Sequence, residues 1–173
     1  MEKINVLFTE EEILKRVREI ADTLYGEYGD EEVVFVCTLK GAVFFACDLL
    51  KNYKGDGRVE FLRVSSYEGE SSTGKINLKL PLDAKNINDK HVVVVEDIVD
   101  TGYTLDYINK YVLGMHPKTF VTCTLLDKKS RRKVEIDPTY AGFVVDDLFV
   151  IGYGLDYDQK YRNLPYIGVV VKE

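Results

Sequence analysis

The sequence lacks the segments that mark membrane and secreted proteins, and it has no excess of basic charge. No apolar run approaches the length of a membrane span. Residues 1–5 lead directly into an acidic helix start, so we expect no signal peptide and a cytoplasmic protein. Lys and Arg number 23 against 29 Asp and Glu, and the resulting net charge of −6 counts against a general nucleic-acid binder.

Cysteine and histidine are also scarce. The three cysteines, Cys37, Cys47 and Cys123, lie in apolar segments, and they have no metal-ligand spacing. They are therefore predicted to be reduced thiols of the core rather than redox or metal-binding groups. The two histidines, His91 and His116, flank predicted elements and have no plausible catalytic neighbours in the sequence. Both are expected at the surface.

What is present is a globular composition and an alternation of strands and helices. The 173 residues, 46% hydrophobic and 30% charged, suffice for one domain with a sizeable core, and no repeat or linker divides them. Thr9 and Glu12 form a capping box before a first helix predicted to end near Gly26. Strands are predicted over 33–39, 59–67, 76–80, 92–95 and 119–126 and in short pieces between 143 and 171, and helices over 43–50 and before Gly114. This alternation predicts an α/β fold with a mostly parallel central sheet.

The stretch from Val92 to Thr104 is the most informative part of the chain. The four valines at 92–95 predict a strand buried on both faces. Two carboxylates follow at Glu96 and Asp97, and a short hydroxyl-rich loop then leads into an amphipathic helix. Open α/β sheets hold their ligands at the carboxyl ends of their strands, so this arrangement predicts a binding site.

The loop itself has the chemistry of a phosphate site. Gly102 lets the backbone approach a ligand, the hydroxyls of Thr101 and Thr104 add donors, and the helix N-terminus adds free N–H groups. Asp100 would repel a phosphate, so its side chain is expected to point toward another reacting group. Glu96 and Asp97 suit sugar hydroxyls or a hydrated Mg²⁺. Taken singly, Asp100 could equally be a helix N-cap, and the acidic pair a solvated strand end.

The segment Val95-Glu96-Asp97-Ile98-Val99-Asp100-Thr101-Gly102 resembles the 5-phosphoribosyl pyrophosphate (PRPP) motif of the type I phosphoribosyltransferases, especially their hypoxanthine-guanine branch. The similarity extends from Leu39 to Arg162 with its segments in the family's order. It implies a parallel sheet flanked by helices in a single domain, 1–173. The core would span about 30–145, and a small hood would come from about 1–8 and 146–173.

The resemblance also implies a reaction, a cofactor and partners. A member of this branch joins a 6-oxopurine, hypoxanthine or guanine, to PRPP and releases pyrophosphate, with Mg²⁺ as cofactor and Asp100 as the general base at purine N7. Homodimers or homotetramers are expected. The PRPP-binding residues it implies are Lys40, Gly41, Glu96, Asp97, Ile98, Val99, Asp100, Thr101, Gly102, Tyr103, Thr104 and Arg162.

Three further groups of residues follow from the same resemblance. Purine binding is implied for Lys128, Phe149, Val150 and Asp156, with Lys128 facing the 6-oxo group and Phe149 stacking on the base. Metal binding is implied for Glu96, Asp97 and Asp156. Ser66 and Tyr67 would belong to a flexible lid over 66–76. In the absence of the resemblance, Phe149 and Tyr153 would be interpreted as core aromatics, and Lys40-Gly41 as an ordinary turn.

Several other classes of protein fit the sequence less well. Gly69, Gly74 and Lys75 have Walker A spacing, but Ile76 and Pro81 follow where a P-loop needs Ser or Thr and a helix. The basic run 129–133 is predicted to be a solvated face. It weakly favours an RNA-binding regulator built on the PRPP site, which the acidic net charge opposes. A receiver-type signalling domain lacks its acidic pair after the 33–39 strand, and a haloacid-dehalogenase-type phosphatase lacks Asp-x-Asp.

Overall fold

The computed structural model describes residues 3–66 and 76–171. The helices are α1 (Glu10–Tyr28), α2 (Val43–Asn52) and α3 (Tyr103–Leu113), and short 3-10 turns span Ala84–Asn86 and Lys129–Arg131. The strands are β1 (Lys3–Phe8), β2 (Val33–Thr38), β3 (Gly57–Ser66), β4 (Ile76–Leu80), β5 (His91–Val99), β6 (Thr119–Asp127), β7 (Tyr140–Val144), β8 (Val150–Ile151) and β9 (Ile167–Val171).

Six strands form the central sheet in the order β4-β3-β2-β5-β6-β7. All neighbours pair in parallel except β3 and β4, which pair antiparallel. Alternate residues of β5 face opposite sides. Val93 and Val95 pack among side chains of α1 and α2, while Val92 and Val94 pack with Ile108 and Val112 of α3. The prediction of a mostly parallel sheet with helices on its faces is confirmed.

The chain ends form a second, antiparallel sheet in the order β1-β9-β8. Residues 3–8 pair with 167–171, and Val150 and Ile151 of β8 pair with Val169 and Gly168 of β9. Phe8 of β1 stacks on Phe143 of β7 with ring centroids 4.1 Å apart, which ties this sheet to the central one. The segments just after β8 are thereby held over the carboxyl ends of the central strands.

Some predicted boundaries were wrong for identifiable reasons. The capping box of Thr9 and Glu12 is present, but α1 continues past Gly26 to Tyr28, whose ring is buried, and ends at Gly29 with a φ of 59°. Strand β5 does not stop at Val95. It runs to Val99 because β6 continues beside it and pairs with Ile98 and Val99. Glu96 and Asp97 therefore lie within the strand rather than after it.

Two expectations about polar side chains were also wrong. His91 is 9% exposed rather than at the surface, because its ring nitrogens contact Glu31 and Thr119, each at 2.8 Å. Cys47 is exposed on the outer side of α2, whereas Cys37 and Cys123 are buried as predicted. His116 is exposed as expected. In the described residues, no helix is long and apolar enough to cross a membrane.

Candidate active site

The carboxyl end of β5 opens into two adjoining cavities. One, of about 260 Å³, is lined only by the continuous stretch 96–102 with Thr104 and Leu105. The other, of about 490 Å³, shares Glu96, Asp97 and Thr104 with the first and extends between the ends of β2 and β3 and the segment after β8. Its remaining lining residues are Thr38, Leu39, Lys40, Gly41, Val64, Ser65, Asp156 and Arg162.

The smaller cavity is formed by a tight loop at the start of α3. Gly102 has a φ of 92°, a left-handed conformation that favours glycine, and a Cβ there would lie 2.8 Å from Cγ2 of Ile136. The Thr101 carbonyl accepts a hydrogen bond from the Lys133 amide at 2.8 Å, which fixes the loop to the segment after β6. The first N–H groups of a helix have no partner within it, and Thr104 and Leu105 at the start of α3 line this cavity. The loop can therefore bind a phosphate.

Glu96 and Asp97 bring two carboxylates into the site at its most buried point. Glu96 is 6% exposed, and its Oε1 atom is buried without a hydrogen-bond partner. Burial raises the pKa of Glu96, and the neighbouring Asp97 charge raises it further. Burial also raises the pKa of Asp97, although Oδ1 accepts a hydrogen bond from the Ile98 amide at 2.9 Å. Both carboxyl groups therefore favour a neutralising partner such as a cation.

Lys40 and Arg162 supply positive charge to the larger cavity. Arg162 donates from Nη1 to the Gly154 carbonyl at 2.7 Å and forms an ion pair from Nη2 to Asp156 Oδ1 at 2.9 Å. Lys40 is exposed at the end of β2, and the peptide bond between Leu39 and Lys40 is cis. Acidic and basic side chains thus line the same cleft, an arrangement that fits a polyanion with a divalent cation.

Gly41 is required by the closeness of Asp97. A Cβ at Gly41 would collide with the Asp97 carboxylate, which leaves no room for any side chain. Gly41→Ala is therefore expected to displace the Asp97 carboxylate from the cleft and to weaken binding of PRPP, the ligand that the resemblance implies, at least about 10-fold. A PRPP titration of the variant checks this. Gly26→Ala, in open space on α1, is the matched control, and equal PRPP affinity in the two variants would contradict the expectation.

Asp100 lies at the junction of the two halves of the site. It is half-buried, and Oδ1 forms an ion pair with Arg131 Nε at 3.0 Å. Arg131 also pairs with Asp147 Oδ1 at 3.1 Å, and Lys128 Nζ lies 3.9 Å from that same atom. Asp100, Arg131, Asp147 and Lys128 therefore form one chain of alternating charges that leads from the phosphate loop to the end of β6.

A buried ion pair between Asp127 and Arg132 stabilises the backbone at Asp100. Asp127, the last residue of β6, is 1% exposed and contacts Arg132 Nη2 at 2.5 Å. Arg132 Nη1 donates to the backbone carbonyl of Asp100 at 2.7 Å. One arginine thus fixes both the end of β6 and the main chain that carries Asp100.

The far end of the site is apolar and open. Phe149 is 57% exposed, and its ring meets Tyr157 edge to face, with centroids 5.5 Å apart and an interplanar angle of 80°. Val150 is buried in β8, directly after it. Phe149 is therefore not the core aromatic that its sequence context alone would indicate, whereas Tyr153 is buried at 4% exposure. An exposed aromatic face of this kind suits a planar heterocycle.

Comparison with known proteins identifies the family. The model of the phosphoribosyl transferase domain matches residues 5–158. The chain belongs to the phosphoribosyltransferase family. A hypoxanthine-guanine-xanthine phosphoribosyltransferase of Tritrichomonas foetus is 43% identical over 167 residues, covering 95% of this chain and 90% of that protein. A hypoxanthine-guanine phosphoribosyltransferase of Aquifex aeolicus is 44% identical over 170 residues, covering 97% and 95%.

Solved structures agree with this assignment. A crystal structure of a hypoxanthine-guanine phosphoribosyltransferase from Bacillus anthracis, with HEPES in its active site, superposes with a TM-score of 0.92 at 42% identity and 99% coverage of both chains. A hypoxanthine phosphoribosyltransferase from Staphylococcus aureus gives 0.91 at 40% identity, covering 96% of this chain and 91% of that one. The expected type I phosphoribosyltransferase fold is confirmed.

In this phosphoribosyltransferase the structure brings most of the predicted site residues to one cleft. Lys40, Gly41, Asp156 and Arg162 line the larger cavity, the stretch 96–102 with Thr104 lines the smaller one, and Tyr103 is 41% exposed at the start of α3. Lys128 is buried directly after β6, and Phe149 is exposed directly before β8; neither lines these two cavities. Tyr67 and the predicted lid residues 67–75 lie outside the described residues, and Ser66 is described only as the last residue of β3.

Sequence reasoning missed several residues of the site. The basic run 129–133 is not uniformly a solvated face, since Arg131 pairs with two carboxylates and the Arg132 side chain is 13% exposed. Asp127 and Asp147, their partners, were not singled out at all. The available signal was an acidic residue at the end of a buried strand next to a basic run, because a buried carboxylate requires a cation. The pairing also counts against the RNA-binding alternative.

Proposed function

We propose that this chain transfers the 5-phosphoribosyl group of PRPP to hypoxanthine or guanine, which yields IMP or GMP and pyrophosphate in purine salvage. The observation that carries the proposal is the continuity of the cleft at the end of β5. Two adjoining cavities there join the phosphate loop to a cleft lined by three carboxylates, those of Glu96, Asp97 and Asp156, and by the cations of Lys40 and Arg162. Ion pairs then link Asp100 of the loop, through Arg131 and Asp147, to Lys128. The names of the similar proteins from Tritrichomonas foetus and Aquifex aeolicus support the same substrates.

The PRPP molecule has two anionic ends, and the cleft offers a separate site for each. The 5′-phosphate would bind the loop 100–104 at the start of α3, where N–H groups and hydroxyls donate. The pyrophosphate would bind between the Lys40-Gly41 turn and Arg162. The ribose between them would face Glu96 and Asp97, whose carboxylates accept hydrogen bonds from its hydroxyls.

A magnesium ion fits this arrangement. The donors are carboxylate oxygens, as a hard cation prefers, and Mg²⁺ ordinarily uses one or two carboxylates together with substrate oxygens and water. Across the described residues no group of three or more Asp, Glu, His or Cys side chains is close enough to hold a metal unaided. Asp97 and Asp156, with Glu96 behind them, are the residues proposed to hold it together with PRPP. Bound there, Mg²⁺ would neutralise the pyrophosphate as a leaving group.

The purine would occupy the far end of the cleft. Phe149 would stack on the ring system, and the backbone of Val150 would hydrogen-bond its edge, close to Asp156. Lys128 would donate to the 6-oxo group, which excludes adenine because its 6-amino group would place a donor against a donor. Asp100 would then lie near N7.

The chemistry assigned to the protein is proton transfer and charge stabilisation. The bond between ribose C1′ and the pyrophosphate oxygen breaks, the electron pair leaves with pyrophosphate, and purine N9 attacks C1′. Positive charge that develops on the ribose is stabilised by the carboxylates beneath it. Asp100 accepts the N7 proton, so that the purine is neutral when the new C1′–N9 bond is complete.

Removing the ammonium of Lys128 tests the placement of the purine. Lys128→Ala is expected to raise the KM for hypoxanthine about 10-fold, because a charge-assisted hydrogen bond is lost. It should also lower the ratio of kcat/KM for hypoxanthine to kcat/KM for adenine. Parallel kinetics with hypoxanthine and adenine measure both. Lys129→Ala is the matched control, since Lys129 is exposed one residue further on. If both variants behave like wild type, the buried Lys128 serves only its contact with Asp147 and the purine lies elsewhere.

Assembly and location complete the proposal. We expect a homodimer or homotetramer, and exposed Phe44 on α2 and Val59 and Phe61 on β3 supply apolar surface for it. In the hypoxanthine phosphoribosyl transferase of Trypanosoma cruzi, 37% identical to this chain, the C-terminal region has a role in the oligomeric state. A cytoplasmic location also remains a prediction.

A further inference from the structure

Gln159 lies in a turn between two residues of the proposed PRPP site, Asp156 and Arg162. Tyr157 and Lys160 close the turn with a pair of backbone hydrogen bonds of 3.2 and 3.0 Å. The two residues between them, Asp158 and Gln159, have φ values of 51° and 63°. Two successive left-handed residues define the type of two-residue turn in which glycine or asparagine is preferred, particularly at the second position.

A glutamine at that second position is conformationally unfavourable. The left-handed conformation brings the Cβ of glutamine too close to the backbone, whereas glycine has no Cβ and adopts this conformation freely. The backbone N–H of Gln159 donates a hydrogen bond to Asp156 Oδ2 at 2.8 Å. Glycine has the same backbone N–H, so this bond does not require glutamine. An unfavourable residue at this position indicates a use for its side chain.

The side-chain contacts of Gln159 supply that use. Its Oε1 atom accepts from Lys40 Nζ at 3.1 Å and from Arg162 Nη2 at 3.3 Å. Lys40 and Gln159 are 119 positions apart in the sequence, so this contact joins the turn after β2 to the segment after β8. A single carbonyl oxygen therefore holds two cations on the same side of the larger cavity.

The neutrality of the carboxamide matters for an anionic ligand. A carboxylate at this position would cancel part of the positive charge of Lys40 and Arg162, whereas a carbonyl oxygen orients both cations and leaves their charge in place. Arg162 already shares one carboxylate, that of Asp156. A second carboxylate, at position 159, would leave the part of the cleft around Lys40 and Arg162 with little net positive charge.

We propose that Gln159 is a positioning residue for the pyrophosphate group of PRPP. Its carbonyl oxygen holds Lys40 and Arg162 together without neutralising their positive charges. The inference rests on the function proposed above and deepens it. It assigns no direct contact between Gln159 and the reacting atoms. The oxygen that the two cations share holds them near the separation at which one phosphate group can be bound by both.

Gln159→Gly separates this role from a purely structural one. Glycine relaxes the left-handed turn, so the melting temperature is expected to stay equal or rise, while the KM for PRPP rises about 3- to 10-fold as two hydrogen bonds to cations are lost. The KM for hypoxanthine should change less than about 2-fold. Asp158→Gly is the matched control, because it relaxes the same turn and keeps the carboxamide, and it should not raise the KM for PRPP.

Gln159→Glu tests the charge argument with nearly identical shape. It should raise the KM for PRPP and the inhibition constant of magnesium pyrophosphate by at least as much as Gln159→Gly, because a carboxylate competes with the ligand for both cations. Pyrophosphate binding, measured by calorimetry without purine, distinguishes a failure of the role proposed for Gln159 from a failure of the proposed function. If the wild type turns over but Gln159→Gly binds pyrophosphate as tightly or more tightly, Gln159 is not a positioning residue. If the wild type neither turns over nor binds PRPP, the proposed function itself is wrong.

Discussion

Asp100→Asn should lower the turnover number by about two to four orders of magnitude, the range that a general base ordinarily contributes. Asparagine keeps the shape of the side chain but cannot accept the purine N7 proton. The PRPP affinity should change little, because the phosphate is assigned to the backbone and hydroxyl donors of the neighbouring loop. Steady-state kinetics with saturating hypoxanthine, together with a PRPP titration, measure the two effects separately.

The control for this substitution lies on the helix that follows. Asp106→Asn removes the same charge from α3, where Asp106 pairs with Lys110 at 2.7 Å and is remote from the proposed purine position. It should leave turnover within about 2-fold, as expected for an exposed pair of this kind. Wild-type turnover in Asp100→Asn would remove Asp100 from the mechanism. An equal loss in both variants would point to the charge of the helix start rather than to proton transfer.

Arg132→Ala should cause the largest loss of stability, about 3–5 kcal/mol, because it leaves the Asp127 carboxylate buried without its partner. Asp127 is 1% exposed, only its Oδ1 atom contacts Arg132, and its Oδ2 atom is buried without a hydrogen-bond partner. In a chain of this length, such a loss should lower the melting temperature by roughly 6–20 °C. The variant should also bind PRPP more weakly, since Arg132 fixes the backbone carbonyl of Asp100. Thermal unfolding and a PRPP titration check the two effects.

Arg131→Ala is the natural comparison, since Arg131 is the adjacent residue and also pairs with carboxylates. Its side chain is 44% exposed, so its ion pairs with Asp100 and Asp147 should be worth at most about 1 kcal/mol. A double variant, Asp127→Leu with Arg132→Met, removes both buried charges and should recover much of the stability. Losses that simply add in the double variant would show that the two side chains do not act as a pair.

The sequence was sufficient for the parts of the site that depend on strand order. The buried valines 92–95 fixed β5 at the centre of the sheet, and the parallel topology then placed every loop after a strand at the same edge. Glu96-Asp97 and Lys128 could therefore be assigned to one cleft from their positions, whereas Lys40-Gly41 was assigned to it through the family resemblance. The capping box of α1 was predictable for a similar reason, because it is a local arrangement of Thr9 and Glu12.

What could not be predicted depends on side-chain partners distant in the sequence. The Arg132–Asp127 pair was missed because a basic run is usually solvated, and only the packing of the segment after β6 against the phosphate loop buries it. His91 was expected at the surface, but Glu31 and Thr119 surround it at the opposite end of the sheet. Gln159 carries no motif, and its role follows only from a turn geometry and two contacts.

The most direct test of the account is turnover of hypoxanthine, guanine, xanthine and adenine by the wild type, side by side, with PRPP and Mg²⁺. We predict nucleotide and pyrophosphate in equal amounts from hypoxanthine, guanine or both, no nucleotide from adenine, and no reaction after chelation of the metal. The ranking among the 6-oxopurines is left to the measurement. Absence of turnover with every purine, while PRPP still binds, would contradict the assignment of the purine end of the cleft.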